Sequence, residues 1–119
     1  MMNNKYSAKK SIVDGISFDS KLEAERYKQL MLLRQAGEIC DLNLQFEFQI
    51  FHGFVDPDTG IKEKSSFYRA DFVYLDIANK QWIAEDTKGI ETAEFKLKWK
   101  LVKQQYPEYK FRKLTKADI

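Results

Sequence analysis

The chain has 119 residues and a mass of 14.1 kDa, and 44% of it is hydrophobic, with nine Phe, six Tyr and two Trp. That is one domain's worth of sequence with a modest core. One Cys excludes an internal disulfide framework, and one His excludes a His-rich zinc site. Twenty Lys and Arg against eighteen Asp and Glu leave a net charge of +2, too balanced to name a partner.

No apolar run approaches the roughly 18 residues of a membrane span. The opening MMNNKYSAKK has lysines but no apolar stretch behind them, unlike a secretory signal. The bulk chemistry reads as cytoplasmic, with no membrane partner. Residues 1–11 read as a basic flexible arm in which Lys9 and Lys10 can touch a polyanion. Residues 12–119 read as a single domain.

Residues 12–18 (IVDGISF) predict a short hairpin around Asp14-Gly15. Residues 19–36 predict the first helix, capped by Asp19 or Ser20 with Glu23 in capping-box position, and stopped by Gly37. At about 100° per residue, Leu22, Tyr27, Leu30, Met31 and Leu33 form a broad apolar arc. Glu23 falls near its middle, whereas Glu25 falls on the polar side. A carboxylate aimed at a core needs a metal, Lys or Arg to pair it. Arg26 and Arg34 flank the arc and are placed to pair with Glu23 or reach a phosphate. The bland reading of Glu23 is a first-turn carboxylate favoured by the helix dipole.

Residues 39–51 (ICDLNLQFEFQIF) alternate, which puts Leu42, Leu44, Phe46, Phe48 and Ile50 on one face of a half-exposed strand. Residues 52–66, with Asp-Pro and Thr-Gly, predict a loop or hairpin tip. Residues 68–76 and 81–87 predict a hairpin across 77–80. Thr92 predicts the cap of a second helix over 93–106, closed by Pro107, and residues 109–114 a last strand. A mixed sheet packed on by two helices follows from this order.

Asp71 sits in an otherwise apolar strand, YRADFVYLD, where acids are depleted. The next strand ends in Glu85-Asp86-Thr87-Lys88-Gly89. Period-two geometry puts Asp86 and Lys88 on one face and Glu85 and Thr87 on the other. Arg69 is placed on the face opposite Asp71, to bind phosphate or pair with Glu47. Two carboxylates brought together hold a hard divalent ion through oxygen, and the Thr87 carbonyl between them can add a ligand. Glu23 would finish the ligand set. Lys88 beside such an ion can orient water or stabilise charge developing on a phosphodiester. The competing reading is an ion-pair network at a sheet end.

The order Glu23, Asp71, Asp86-Thr87-Lys88 resembles the PD-(D/E)XK nuclease superfamily, with Ala70-Asp71 in place of its Pro-Asp. More narrowly, NKYSAKK, DGISFDSKLEAERY, AGEICDLNLQ, YRADFVYLD and EDTKG resemble small phage-encoded proteins placed in that superfamily. The resemblance implies a restriction-endonuclease-like α/β fold. It also implies catalytic roles for Glu23, Asp71, Asp86 and Lys88, with Mg²⁺, or Mn²⁺ as substitute, as cofactor. Similarity to endonuclease I-type junction resolvases implies branched DNA as substrate and a homodimer, although no dimer stripe is identifiable.

From Lys88 to Lys116, nine residues are Lys or Arg and only Glu91, Glu94 and Glu108 are acidic. Lys96, Lys100 and Lys103 form a stripe along the second helix that can follow a row of phosphates. The bland reading is a solvated face with snorkelling lysines.

The expected activity is Mg²⁺-dependent endonucleolytic cleavage of DNA, selective for structure rather than sequence. The rivals are an inactive nuclease-fold DNA-binding module, a phage structural or regulatory adaptor, and an exonuclease.

Overall fold

The computed structural model describes residues 10–119. Most of the expected basic arm, including Lys9, therefore lies outside the described residues. The domain begins at β1 (Ser11–Val13), which pairs antiparallel with β2 (Ile16–Phe18). Asp14 and Gly15 between them have φ of 53° and 77°. Two left-handed residues in a row make the tight turn whose twist matches a hairpin.

Helix α1 runs Lys21–Gln35. The Ser20 hydroxyl accepts the Glu23 N–H at 3.1 Å, closing one of the free donors of the first turn. Gly37, at φ 76°, reverses the chain after the last turn, and the Glu38 N–H bonds the Leu33 carbonyl at 3.0 Å.

Four strands make the main sheet: β3 (Ile39–Phe51), β6 (Ser66–Asp76), β7 (Gln81–Thr87) and β8 (Tyr109–Leu114), in that spatial order. β3, β6 and β7 form an antiparallel meander, and β8 is parallel to β7. Parallel pairing needs a crossover, supplied by α2 (Ala93–Gln105), whose first turn is capped by the Thr92 hydroxyl at 3.1 Å from the Phe95 nitrogen. The expected hairpin tip at 52–66 carries its own two-stranded pair, β4 (Phe54–Val55) with β5 (Lys62–Glu63). A short 3-10 helix, Lys116–Asp118, follows β8. The result is the restriction-endonuclease-like α/β architecture, a mixed sheet flanked by two helices.

Each helix covers one face. Under α1 lie Phe18, Ala24, Tyr27, Leu30, Ile39, Phe72, Tyr74 and Ile83. Under α2 lie Phe48, Ile50, Tyr68, Ala70, Val73, Ala84, Phe95, Trp99 and Val102. Fully burying a side chain such as Leu30 or Phe72 contributes roughly 1.5–3 kcal/mol, so each layer is a substantial core. Among the described residues no helix is long and apolar enough to cross a membrane.

The even residues of β3 do not share one face. Leu42 and Leu44 pack in the α1 layer, whereas Phe46, Phe48 and Ile50 pack in the α2 layer. Alternation is broken at Gln45, whose φ is 53°. β6 slips at the facing position: Ala70 and Val73 both join the α2 layer, and Phe72 joins the α1 layer. The ladder runs through Leu44↔Phe72 and Phe46↔Ala70, with Gln45 and Asp71 between them unpaired. The two strands thus turn over together, without changing register, at the position that carries Asp71.

Candidate active site

That turnover lets side chains from opposite layers meet. α1 and α2 lie on different faces, so Glu23 and Lys88 start from opposite sides of the sheet. Gln45 joins them: its amide Nε2 donates to Glu23 Oε2 at 2.8 Å and to Asp71 Oδ1 at 3.4 Å. Asp71 in turn accepts at Oδ2 from both the backbone N–H and the hydroxyl of Thr87, each at 2.8 Å. The antiparallel register Phe72↔Glu85, carried one step further, sets Asp71 beside Asp86.

Asp86 and Lys88 emerge on the same face, as period-two geometry requires. Lys88 Nζ is 3.7 Å from Asp86 Oδ1 and 4.4 Å from the centre of the Phe95 ring. Tyr68 donates its hydroxyl to Asp86 Oδ2 at 2.7 Å. Asp71, Asp86, Lys88, Gln45, Tyr68 and Arg69 line an open cleft of about 350 Å³, closed on other sides by Asp19, Thr92, Glu94, Phe95 and Lys98. Glu23 stands behind this lining, 6% exposed, and reaches the group through Gln45.

The electrostatics are those of crowded acids. The Glu23 carboxyl is pushed up to about 7, first by burial and then by the charges of Asp71, Asp19 and Asp86. Asp86, 4% exposed, is also pushed up to about 7, first by burial and then by Asp71; the Tyr68 hydroxyl and Lys88 oppose the rise. Burial and Asp86 together push the Tyr68 phenol far above its ordinary range, so it stays a donor. Among the described residues no three His, Cys, Asp or Glu side chains are gathered tightly enough to cage an ion as they stand. The donor set nevertheless suits a hard cation with water completing its shell. Asp71 and Asp86 each have one oxygen anchored by Thr87 or Tyr68, which leaves the other facing its neighbours.

Glu85 faces the other way and is no part of this cleft. It is fully buried and accepts two bonds from Arg26, Nε to Oε1 at 2.7 Å and an Nη to Oε2 at 2.6 Å. The Tyr74 hydroxyl donates to the same Oε2. The sequence placed Arg26 to pair with Glu23 or to reach a phosphate; instead it pairs with Glu85 and ties α1 to β7 from the opposite side. This buried fork–fork pair fixes the helix one turn beyond Glu23 against the strand residue adjacent to Asp86.

Of the remaining sequence-derived residues, Arg69 shares the cleft with Asp71 rather than facing away from it. Residues two apart on a strand share a face, so plain alternation already puts Arg69 and Asp71 on one side, and the expected opposite placement does not hold. Thr87 bonds Asp71 through its amide and hydroxyl. Lys10, Lys96, Lys100 and Lys103 are exposed, and Lys103 lies 5.8 Å from the Trp99 ring centre. The cleft cation on α2 is Lys98, 3.1 Å from Glu94, which the lysine stripe passed over. Gln45 and Tyr68 were missed as well. In sequence Gln45 looks like Gln49 on the polar side of a strand, and Tyr68 like any strand aromatic.

No curated protein and no solved structure matches the chain. A family model described as "Protein of unknown function (DUF1064)" matches residues 3–118, which is nearly the whole sequence, and the chain belongs to that family.

Proposed function

We propose that this protein is a divalent-cation-dependent DNA endonuclease. The observation that carries the reading is the meeting, on a restriction-endonuclease-like sheet, of Asp71, Asp86 and the Lys88 ammonium at one open cleft, with buried Glu23 joined to them from behind through Gln45. Buried acids that repel one another are held at a cost unless a cation is meant to join them. An ion-pair network built for stability would seat Lys88 closer than 3.7 Å to Asp86; here the side chains of Glu23 and Asp71 are met by the neutral Gln45 amide and by Thr87 rather than by a cation.

Asp71, Asp86 and Glu23, with the Thr87 carbonyl, would hold Mg²⁺ or Mn²⁺. When bound, such an ion neutralises charge on the phosphodiester and makes a water easier to deprotonate. The chain's own groups do the rest. Tyr68 and Thr87 keep Asp86 and Asp71 from rotating away. Lys88, resting on the Phe95 ring, donates to the attacking water or to a non-bridging phosphate oxygen. Attack by water at phosphorus forms one P–O bond and breaks the opposite one; the water gives up a proton to solvent and the leaving oxygen takes one from solvent. Arg69 and Lys98 at the cleft, with Lys96, Lys100 and Lys103 on α2 and Lys10 near β1, supply cations for the strand's other phosphates. Contacts of this kind read backbone shape rather than base identity, which favours a branched or distorted duplex as substrate. A pair of cuts would require a homodimer.

The test is incubation with circular duplex, linear duplex and a four-way junction, each in Mg²⁺, Mn²⁺ and EDTA, beside Asp86→Asn and Lys88→Ala. Cleavage of the circle only with metal, and only by the unsubstituted protein, supports an endonuclease. A requirement for free ends points to an exonuclease. Salt-sensitive binding without cleavage under any condition refutes the catalytic reading and leaves a DNA-binding module.

A further inference from the structure

Gln45 is the residue of this site that the backbone is bent to deliver. Its φ of 53° lies in the left-handed region, where an L side chain is strained. Glycine would turn β3 over at this point without strain, yet the chain has a long amide there. That amide spans elements 22 and 26 residues away in sequence, touching Glu23 on α1 and Asp71 on β6 with the same nitrogen. Among the described residues its Oε1 makes no hydrogen bond, and the residue is exposed at the cleft.

Resting on the cation-dependent reading above, we propose that Gln45 is itself a cation ligand. Its amide oxygen turns toward an ion held by Glu23 and Asp71, while the N–H groups bridge those carboxylates when no ion is present. The chemistry favours an amide over an acid. A Gln carbonyl is a hard neutral oxygen ligand. It adds to the coordination shell without adding a fourth negative charge to three acids that already repel one another. A half-turn about the last side-chain bond exchanges nitrogen for oxygen with no movement of the strand.

The experiment titrates the full chain with Mn²⁺ alone, without DNA, at pH 8, by loss of the free Mn²⁺ electron-spin signal. Urea midpoints are measured in parallel. The proteins are the unsubstituted chain, Gln45→Gly, Gln45→Glu and Asp86→Asn. Gln45→Gly relieves the strain, so its urea midpoint is expected to equal or exceed the parent's while its Mn²⁺ affinity falls about tenfold. Gln45→Glu puts an oxygen back and is expected to recover the parent affinity or better. Parent-like or tighter binding by Gln45→Gly, with binding lost in Asp86→Asn, overturns the ligand role but leaves the cation site standing. Weak binding by Gln45→Gly that Gln45→Glu fails to restore also overturns it, because the amide then only braces Glu23. Should Gln45→Gly not fold, Gln45→Glu decides: affinity below the parent's refutes the inference. Absence of Mn²⁺ binding by the parent chain refutes this inference and the cation-dependent reading together.

Discussion

Replacing Asp86 by Asn should make the cation-free protein more stable, not less. Asp86 is 4% exposed and ionises near 7 in the fold, against an ordinary 3.8. At 1.36 kcal/mol per tenfold change, the charged carboxylate carries a folding penalty of about 4 kcal/mol at pH 8. Asn keeps an oxygen for the Tyr68 hydroxyl. The attraction of Lys88 at 3.7 Å opposes the rise and is already contained in that penalty. Burying an amide returns part of the gain, so the net expectation is roughly 1–3 kcal/mol in favour of the variant at pH 8. The sign with pH follows from linkage. Between about pH 4 and 7 the folded parent holds a proton that the unfolded chain has released, so its stability falls as pH rises through that window and levels above it. The advantage of Asp86→Asn should therefore shrink as pH falls from 8 to 5. Urea denaturation in EDTA at pH 5, 6, 7 and 8 measures both curves. A variant less stable than the parent at pH 8 would show Asp86 to be a structural ion-pair partner. The argument that its strain is kept for a cation would then fail.

Arg26→Met should destabilise the fold by about 3–5 kcal/mol, because it strands the fully buried Glu85 charge. The double change Arg26→Met with Glu85→Leu should recover most of that in urea melts; no recovery would mean that the pair does more than neutralise itself. Gly53→Ala should destabilise by roughly 1–3 kcal/mol, since an added Cβ would stand 2.7 Å from the Glu63 carbonyl and 2.9 Å from the Ser65 nitrogen. An unchanged melting temperature would show that the β4–β5 arm yields freely there. Changing Lys96, Lys100 and Lys103 together to Gln should leave stability within about 0.5 kcal/mol. It should also flatten the salt dependence of DNA binding by two to three phosphate contacts, at about 0.9 per contact. An unaltered slope would put the DNA on another surface.

The elements were legible because their punctuation is local. Ser20, Gly37, Thr92 and Pro107 mark helix ends by chemistry that does not depend on tertiary context, and β7 and β8 have the limits their patterns give. Glu23 was legible from the wheel because an acid inside an apolar arc is anomalous on its own strand of reasoning. Three things stayed hidden. The turnover at Gln45 rests on a backbone angle that no side-chain pattern announces, so strict alternation was extended through it. Arg26 finds Glu85 rather than Glu23 because the packing of α1 on β7, not helical spacing, decides which acid is nearest. Lys98 enters the cleft because the start of α2 lies against it, a fact set by the crossover to β8.

The dependence of the cleft on both layers constrains when it can come into being. Glu23 arrives with the α1 layer, whereas Lys88 rests on Phe95 of α2 and its backbone N–H bonds the Leu114 carbonyl of β8 at 2.9 Å. A chain that has docked its first helix but not yet added the last strand has acids and no seated amine. Any chemistry that needs both the acids and the amine would then be withheld until the closing strand is in place.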